Sequence, residues 1–248
     1  MTCFYTAYSP TFEEVGKGLV NSIKKFYPDI PVLEFKWELS KEPSPHAYHG
    51  DTFDLQAFNQ FVVNKGKELL EKYDRIIWID ADSIMCAPCP DLFGDFDMGV
   101  PHNNWPYLEI ANKDLHYANA GMVVGVNKDT WQEWIDELKR FDDRFHGAAW
   151  DVLNFNNSLN KVYHDSKANI KLLEFEDRVY GISKMDTYKE MSLKDEELWI
   201  NEKKLCIFHA AGDEWKDCLG KIRFDRITDK EAAKYLESLQ GKEANEQN

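Results

Sequence analysis

A short apolar run, Ile76-Ile77-Trp78-Ile79, ends abruptly at two aspartates, Asp80 and Asp82, with Ala81 between them. The run is too short for an ordinary helix and rich in β-branched and aromatic residues, so it reads as a strand buried on both faces. Strands of that kind belong to α/β sheets covered by helices. Ligands in such sheets bind beyond the carboxyl ends of the strands, where these two acids fall. A pair of carboxylates there suits a hard divalent cation whose remaining positions hold phosphate oxygens. The plainer alternative is a solvated Asp-rich turn, which is common after strands.

The surrounding pattern supports an α/β class. Residues 3–8 form an aromatic, β-branched strand that stops at Ser9-Pro10. Thr11 and Glu14 then have the spacing of a capping box, ahead of a stripe of Val15, Leu19, Ile23 and Phe26. Residues 31–37 read as a second strand, 39–50 as a loop, and 52–73 as a long helix feeding the Asp80 strand. This β-α-β-α-β order implies a mostly parallel sheet flanked by helices. Farther on, the spacing predicts a strand over 95–101, a loop over 102–116, and a strand after Asn119-Ala120-Gly121. Helices are expected over 129–141 and 148–159, and strands over 162–164, 170–175 and 204–208. A last helix, capped by Thr228 with Glu231, runs to Leu239, and 241–248 reads as a disordered tail. Neither repeat nor linker divides the chain, so residues 1–240 are expected to form one domain.

Composition narrows the partners. The chain has 248 residues and a formal charge of -14, which disfavours a nucleic-acid groove or an anionic membrane surface. An anionic substrate would need positive charge supplied locally. No stretch approaches the length of a transmembrane span, and no basic start followed by an apolar run marks export. Cys3, Cys86, Cys89, Cys206 and Cys218 make no disulfide framework and read as reduced, half-buried thiols, so a cytoplasmic setting is expected. A zinc set of Cys86, Cys89, Cys206 and His209 is an alternative use of the CxxC pair.

Four blocks, in order, resemble the metal-dependent GT-A glycosyltransferases, within them the family 8-like glycogenin and lipopolysaccharide sugar-transferase group. These are Phe4-Tyr5-Thr6-Ala7-Tyr8, then Lys72-Tyr73-Asp74 through Asp80-Ala81-Asp82, then Asn119-Ala120-Gly121, and finally His209-Ala210-Ala211-Gly212 with Trp215-Lys216. The resemblance implies a GT-A fold and hexosyl transfer from a nucleotide-diphosphate sugar, with uridine as the expected base and retention as the expected outcome. It implies Mn²⁺ or Mg²⁺ on Asp80, Asp82 and His209, with Lys216 beside the diphosphate. Thr6, Ala7, Tyr8, Ala81 and Gly212 would contact the nucleotide, Asn119, Ala120 and Gly121 the sugar, and Lys65 is the nearest candidate for a basic donor contact. Asp151 would orient the sugar, with Asn156 also in register with the family pattern, whereas Val152 stands where the family has Gln. Each residue has a bland counterpart: a strand-end histidine, a solvated lysine, a glycine bulge, or core packing for Thr6, Ala7 and Tyr8. The acceptor is a carbohydrate or glycan, for which Trp105 and Tyr107 offer flat faces, or else these two simply pack in the core.

Two rival classes remain open. Haloacid-dehalogenase-like phosphatases also place Asp-x-Asp after an apolar strand, which would make Asp80 a nucleophile, and residues 212–217 fit their G-D-x-x-x-D pattern. Their nucleophilic strand opens the domain, however, whereas 79 residues precede Asp80. A nucleotide-sugar-binding protein without turnover is the other rival, and Val152 is its main support.

Overall fold

The computed structural model describes residues 1–38, 54–103, 117–118, 120–144, 148–173, 178–180, 191–200, 202–210 and 221–241. Two sheets meet at the aspartate pair. The larger begins with β1 (Thr2–Tyr8), which lies parallel to β2 (Val32–Lys36) on one side and to β3 (Arg75–Ile79) on the other. Its neighbours on both edges explain why β1 is buried almost throughout, as the run of apolar residues requires. Beyond β3 come β7 (Met122–Gly125) and β5 (Met98–Asn103), each antiparallel to the strand before it, while β8 (Ile170–Leu173) runs parallel to β5. Five of the seven strands therefore point the same way, and only β7 and the short β6 (Tyr117–Ala118) are reversed.

β6 and β7 behave as one interrupted strand against β5. His102 and Asn103 pair with Ala118 and Tyr117, while Met98 and Gly99 pair with Gly125 and Val124. Between those pairings β5 has two residues, and the opposing chain has five. The three extra residues make a bulge, and Ala120 and Gly121 lie off the β5 ladder.

The second sheet holds β4 (Ser83–Met85), β12 (Lys203–His209), β11 (Glu197–Ile200) and β10 (Ser192–Lys194) as antiparallel neighbours, with β9 (Arg178–Tyr180) parallel to β12. The β10-β11 hairpin turns on Asp195 and Glu196, both at positive φ, the geometry that two-residue hairpins demand.

Five helices cover these sheets among the described residues. α2 (Leu55–Leu70), α3 (Lys128–Asp142) and α4 (Ala148–Asp165) pack one face of the large sheet, around Tyr5, Trp78, Trp131 and Trp134. The approach is close at Gly66 of α2, where a Cβ would overlap the Trp131 ring. On the opposite face, α1 (Glu13–Phe26) and the second sheet enclose Phe4, Leu19, Ile77, Met85 and Ile207. A third apolar cluster lies under α5 (Lys230–Leu239), with Ile84, Phe208 and Leu236. No described helix is long and apolar enough to cross a membrane.

Several sequence expectations need correction. The Thr11-Glu14 capping box does not form: Pro10–Phe12 make a 3-10 turn, and α1 starts at Glu13 with no side-chain cap. Residues 162–164, read as a strand, continue α4, because Val162 extends the buried helical row of Ser158 and Leu159. α5 is capped by Asp229 rather than Thr228, its carboxylate accepting from Glu231 N at 2.9 Å and Ala232 N at 3.1 Å. The loop expected at 39–50 and the tail after Gly241 lie outside the described residues.

The amides of Ala232, Leu193 and Glu231 hold the Asp229 carboxyl below its ordinary range against the opposing effect of burial, and cap removal typically costs about 1 kcal/mol. Asp229→Ala should lower the thermal midpoint by about 2–4 °C, whereas Thr228→Ala should leave it nearly unchanged. Equal losses in the two variants, measured by calorimetry, would contradict this cap assignment.

Candidate functional site

Asp80-Ala81-Asp82 is the crossing between the two sheets: β3 ends at Ile79 in one, and β4 begins at Ser83 in the other. Backbone bonds pin the crossing from both directions. Asp80 N donates to Gly121 O at 2.8 Å, Ala210 N donates to Asp82 O at 2.8 Å, and Ser83 N closes a turn onto Asp80 O at 3.1 Å. His209, the last residue of β12, pairs directly with Ser83 of β4. A histidine more than a hundred residues downstream is thereby set beside the two acids. Its Nε2 lies 3.1 Å from Asp82 Oδ1 and 3.7 Å from Asp80 Oδ2.

One atom from each of the three side chains falls within 4.8 Å of the others, the one such group of three or more acids, histidines or thiols among the described residues. Asp82 and His209 are each 5% exposed, whereas the Asp80 side chain is 39% exposed. The buried pair makes the wall, and Asp80 faces the opening. Burial alone would lower the imidazole's pKa, but attraction and hydrogen bonding to Asp82 and Asp80 outweigh it and lift the value from 6.5 to about 9. Two carboxylates around one buried nitrogen call for positive charge. A proton supplies it in the bare protein, and the same oxygen and imidazole donors suit Mn²⁺ or Mg²⁺ in its place.

The remaining candidates divide into three groups. Ala81, Ala120 and Gly121 lie at the crossing itself: Ala81 N donates to Asp80 Oδ1 at 3.1 Å, and Gly121 O takes the Asp80 amide. Thr6, Ala7 and Tyr8 end β1, and with Tyr5 level with Trp78 they run out beside β3's own end. All three side chains are buried, at 0%, 1% and 2% exposure, as core packing of this strand end requires. Tyr8 donates its hydroxyl to Glu34, with its ring under Gly16, while Thr6 Oγ1 is buried without a hydrogen-bond partner among the described residues. Lys65 stands on α2, with Nζ 2.7 Å from Glu68 Oε2 and 5.6 Å from each of the Phe35 and Phe61 rings. Its charge is therefore already engaged. Asp151 falls in the first turns of α4. Asn119, Gly212 and Lys216, like Trp105 and Tyr107, lie outside the described residues.

The zinc alternative does not assemble. Cys86, Cys89 and Cys206 are fully buried rather than half-buried, and His209 turns toward the aspartates. Burial pushes the Cys86 thiol well above its ordinary range.

Two polar features were not foreseen. Asn156 Oδ1 accepts from Ala120 N at 2.9 Å, tying α4 to the bulge. Deeper in, Gln60 Nε2 and Asn154 Nδ2 reach Asp142 at 2.6 Å and 3.3 Å, linking α2, α4 and α3. Their sequence signal was the polar residue set among buried neighbours on each helix.

In the metal-free protein, side-chain NMR should find His209 protonated through neutral pH and releasing its proton near pH 9. Since the folded value lies above 6.5, this contact stabilises fully below pH 6.5 and is lost as pH rises through about 9. With a chelator present, the thermal midpoint should fall across that window, and less so in Asp82→Asn. Release at or below pH 6.5 would show that the carboxylates do not hold the imidazole.

No family model matches the chain, and no curated protein matches it in sequence. Solved structures do match it in shape. The galactosyltransferase LgtC, bound to donor and acceptor sugar analogues, superposes with a TM-score of 0.54 at 12% identity, over 97% of this chain and 95% of LgtC. An active-site mutant of LgtC gives 0.50 at 11% identity, again covering 97% and 95%. The apo bifunctional glycosyltransferase WbbM gives 0.57 at 18% identity over 98% of this chain, which spans 50% of WbbM. At such identities the likeness speaks for architecture. The helix-flanked, largely parallel sheet that delivers Asp80 to its carboxyl end is the GT-A glycosyltransferase fold.

Proposed function

We propose that this chain is a divalent-cation-dependent glycosyltransferase that moves a hexose from a nucleotide-diphosphate sugar, with uridine as the base, to a carbohydrate or glycan acceptor. The observation that carries the reading is the Asp80-Asp82-His209 group at the sheet crossing of a GT-A fold. Asp82 and His209 would hold Mn²⁺ or Mg²⁺ from the buried side and Asp80 from the open one. Bound there, the cation would offset the charge that develops on the departing diphosphate.

The chain's own residues supply the rest. The Ala120-Gly121 peptide, pulled out of the β6-β7 ladder, offers a close backbone wall for the sugar, with Asn119 beside it. Asp151 orients the sugar hydroxyls, and Lys216, with the Gly212 segment, meets the diphosphate. Thr6, Ala7 and Tyr8 shape the nucleotide end through backbone at the β1 terminus, since their side chains are buried. Lys65 could reach a donor only by leaving Glu68. Transfer with retention is the outcome we favour, although Val152 offers no polar contact where related enzymes have Gln.

Two measurements test this. Mn²⁺ with UDP, each at about a hundredfold excess over its dissociation constant, should raise the thermal midpoint by several degrees, and Asp82→Asn should abolish the rise. A midpoint that Mn²⁺ and UDP leave unmoved in the native protein would refute the site. Incubation with UDP-hexoses and Mn²⁺ should release UDP, slowed about 100-fold or more in Asp80→Asn. Binding without any release, even with sugar acceptors, would instead mark a nucleotide-sugar-binding protein, and phosphate released from a generic phosphoester would mark a phosphatase.

A further inference from the structure

The peptide pair Ala120-Gly121 is held by three hydrogen bonds at once. Trp78 Nε1 of β3 donates to Ala120 O at 2.8 Å, Asp80 N donates to Gly121 O at 2.8 Å, and Ala120 N donates to Asn156 Oδ1 of α4 at 2.9 Å. Two of these bonds belong to the strand that delivers Asp80. The third belongs to the helix that carries Asp151. A rigid peptide unit thus joins the metal side of the site to its sugar side, and Asn156 ties that junction to α4.

The bond is specific in what it needs. Lifted out of the ladder by the three-residue bulge, Ala120 N has no strand partner among the described residues. With Ala120 only 1% exposed, water is poorly placed to serve it. Asn156 is only half-buried, so apolar packing does not explain its position. Its own turn is braced by Asn160 Nδ2, which donates to Asn156 O at 2.9 Å. Two residues earlier, Asn154 is anchored on the opposite side of the helix by Asp142 at 3.3 Å. α4 is therefore gripped on two sides. The Asn156 grip is the one directed at the site, and it lies about 7.5 Å along the helix from Asp151.

We infer that Asn156 is a positioning residue: by accepting the Ala120 amide, its carboxamide sets the register of α4, and so of Asp151, against Asp80. This rests on the transferase reading above, in which Asp80 holds the cation and Asp151 orients the sugar. A misplacement of about 1 Å in such an arrangement can cost about 10²-fold in rate. Loss of the bond should therefore appear in turnover rather than in binding, because nucleotide and cation are gripped on the β3 side of the junction.

The test compares Asn156→Ala, which removes the acceptor, with Asn156→Asp, which keeps an oxygen at the same reach. With UDP-glucose or UDP-galactose and MnCl2, UDP release by N156A should show kcat reduced about 10- to 100-fold and KM changed by less than about threefold. N156D should stay within about threefold of the native kcat. Amide hydrogen exchange at Ala120 should quicken in N156A and remain slow in N156D, a readout that needs no turnover. Should N156A fail to fold, Asn156→Ser, whose hydroxyl is too short to reach, takes its place. A kcat within twofold of native in N156A, or an equal loss in N156D, overturns the inference. A native protein that releases UDP from no donor while Ala120 exchange behaves as expected would instead refute the transferase reading and leave the junction as a structural one.

Discussion

Everything at the site depends on a three-residue passage between two sheets. The chain leaves β3 at Ile79 and enters β4 at Ser83, and both carboxylates lie in the gap. Such a crossing would ordinarily be a loose turn. Here each end continues the ladder it belongs to: the Asp80 amide extends the β3-β7 pairing onto Gly121, and the Asp82 carbonyl extends the β4-β12 pairing onto Ala210. The acids are positioned by main-chain bonds on both sides, so the crossing does not depend on their side chains to hold its shape.

That arrangement sets an electrostatic problem that a sugar-transfer site can use. Taking Asp82 and His209 out of water is costly unless the charges are paired. The imidazole keeps a proton well into the alkaline range because two carboxylates face it. A divalent cation held by Asp80, Asp82 and His209 would provide the same compensation with more charge. In a chain of net charge -14, that local reversal of sign is what would admit a diphosphate.

The parts legible in the sequence were those with a strong local period. β1, β3, β7, α2 and α3 were readable because buried strands and amphipathic helices leave apolar patterns that differ in period, and Trp131, Trp134, Ile135 and Leu138 fall on the buried stripe of α3. Helix starts were less readable. Thr11 and Thr228 fit the capping pattern, but Pro10 begins a 3-10 turn and Asp229, one residue later, has the better reach to the first free amides. The second sheet was largely hidden: β4 is three residues long, and the β10-β11 turn uses Asp195-Glu196 where a glycine would have signalled it. Within the site, the Asp80-Asp82 pair was visible as residues, and the role of His209 came from resemblance. No local pattern could have supplied its pairing with Ser83, because register between distant strands is a property of the assembled sheet.

The aromatic core and the site are not separate structures. Trp78 is 1% exposed and fills space against Tyr5, work that a phenylalanine could also do. An indole adds an N–H that must find an acceptor when buried, and it finds Ala120 O at 2.8 Å. Trp131 and Trp134 meet the same requirement with Val63 O at 2.8 Å and Ser158 Oγ at 3.1 Å, so each of these three tryptophans also fixes a backbone or side-chain position across an interface. In the case of Trp78 the position fixed is the bulge beside Asp80. Core packing of the large sheet is thereby transmitted to the peptide that holds the Asp80 amide. A substitution that preserved the volume of Trp78 but removed its N–H would disturb the bulge before it disturbed the core.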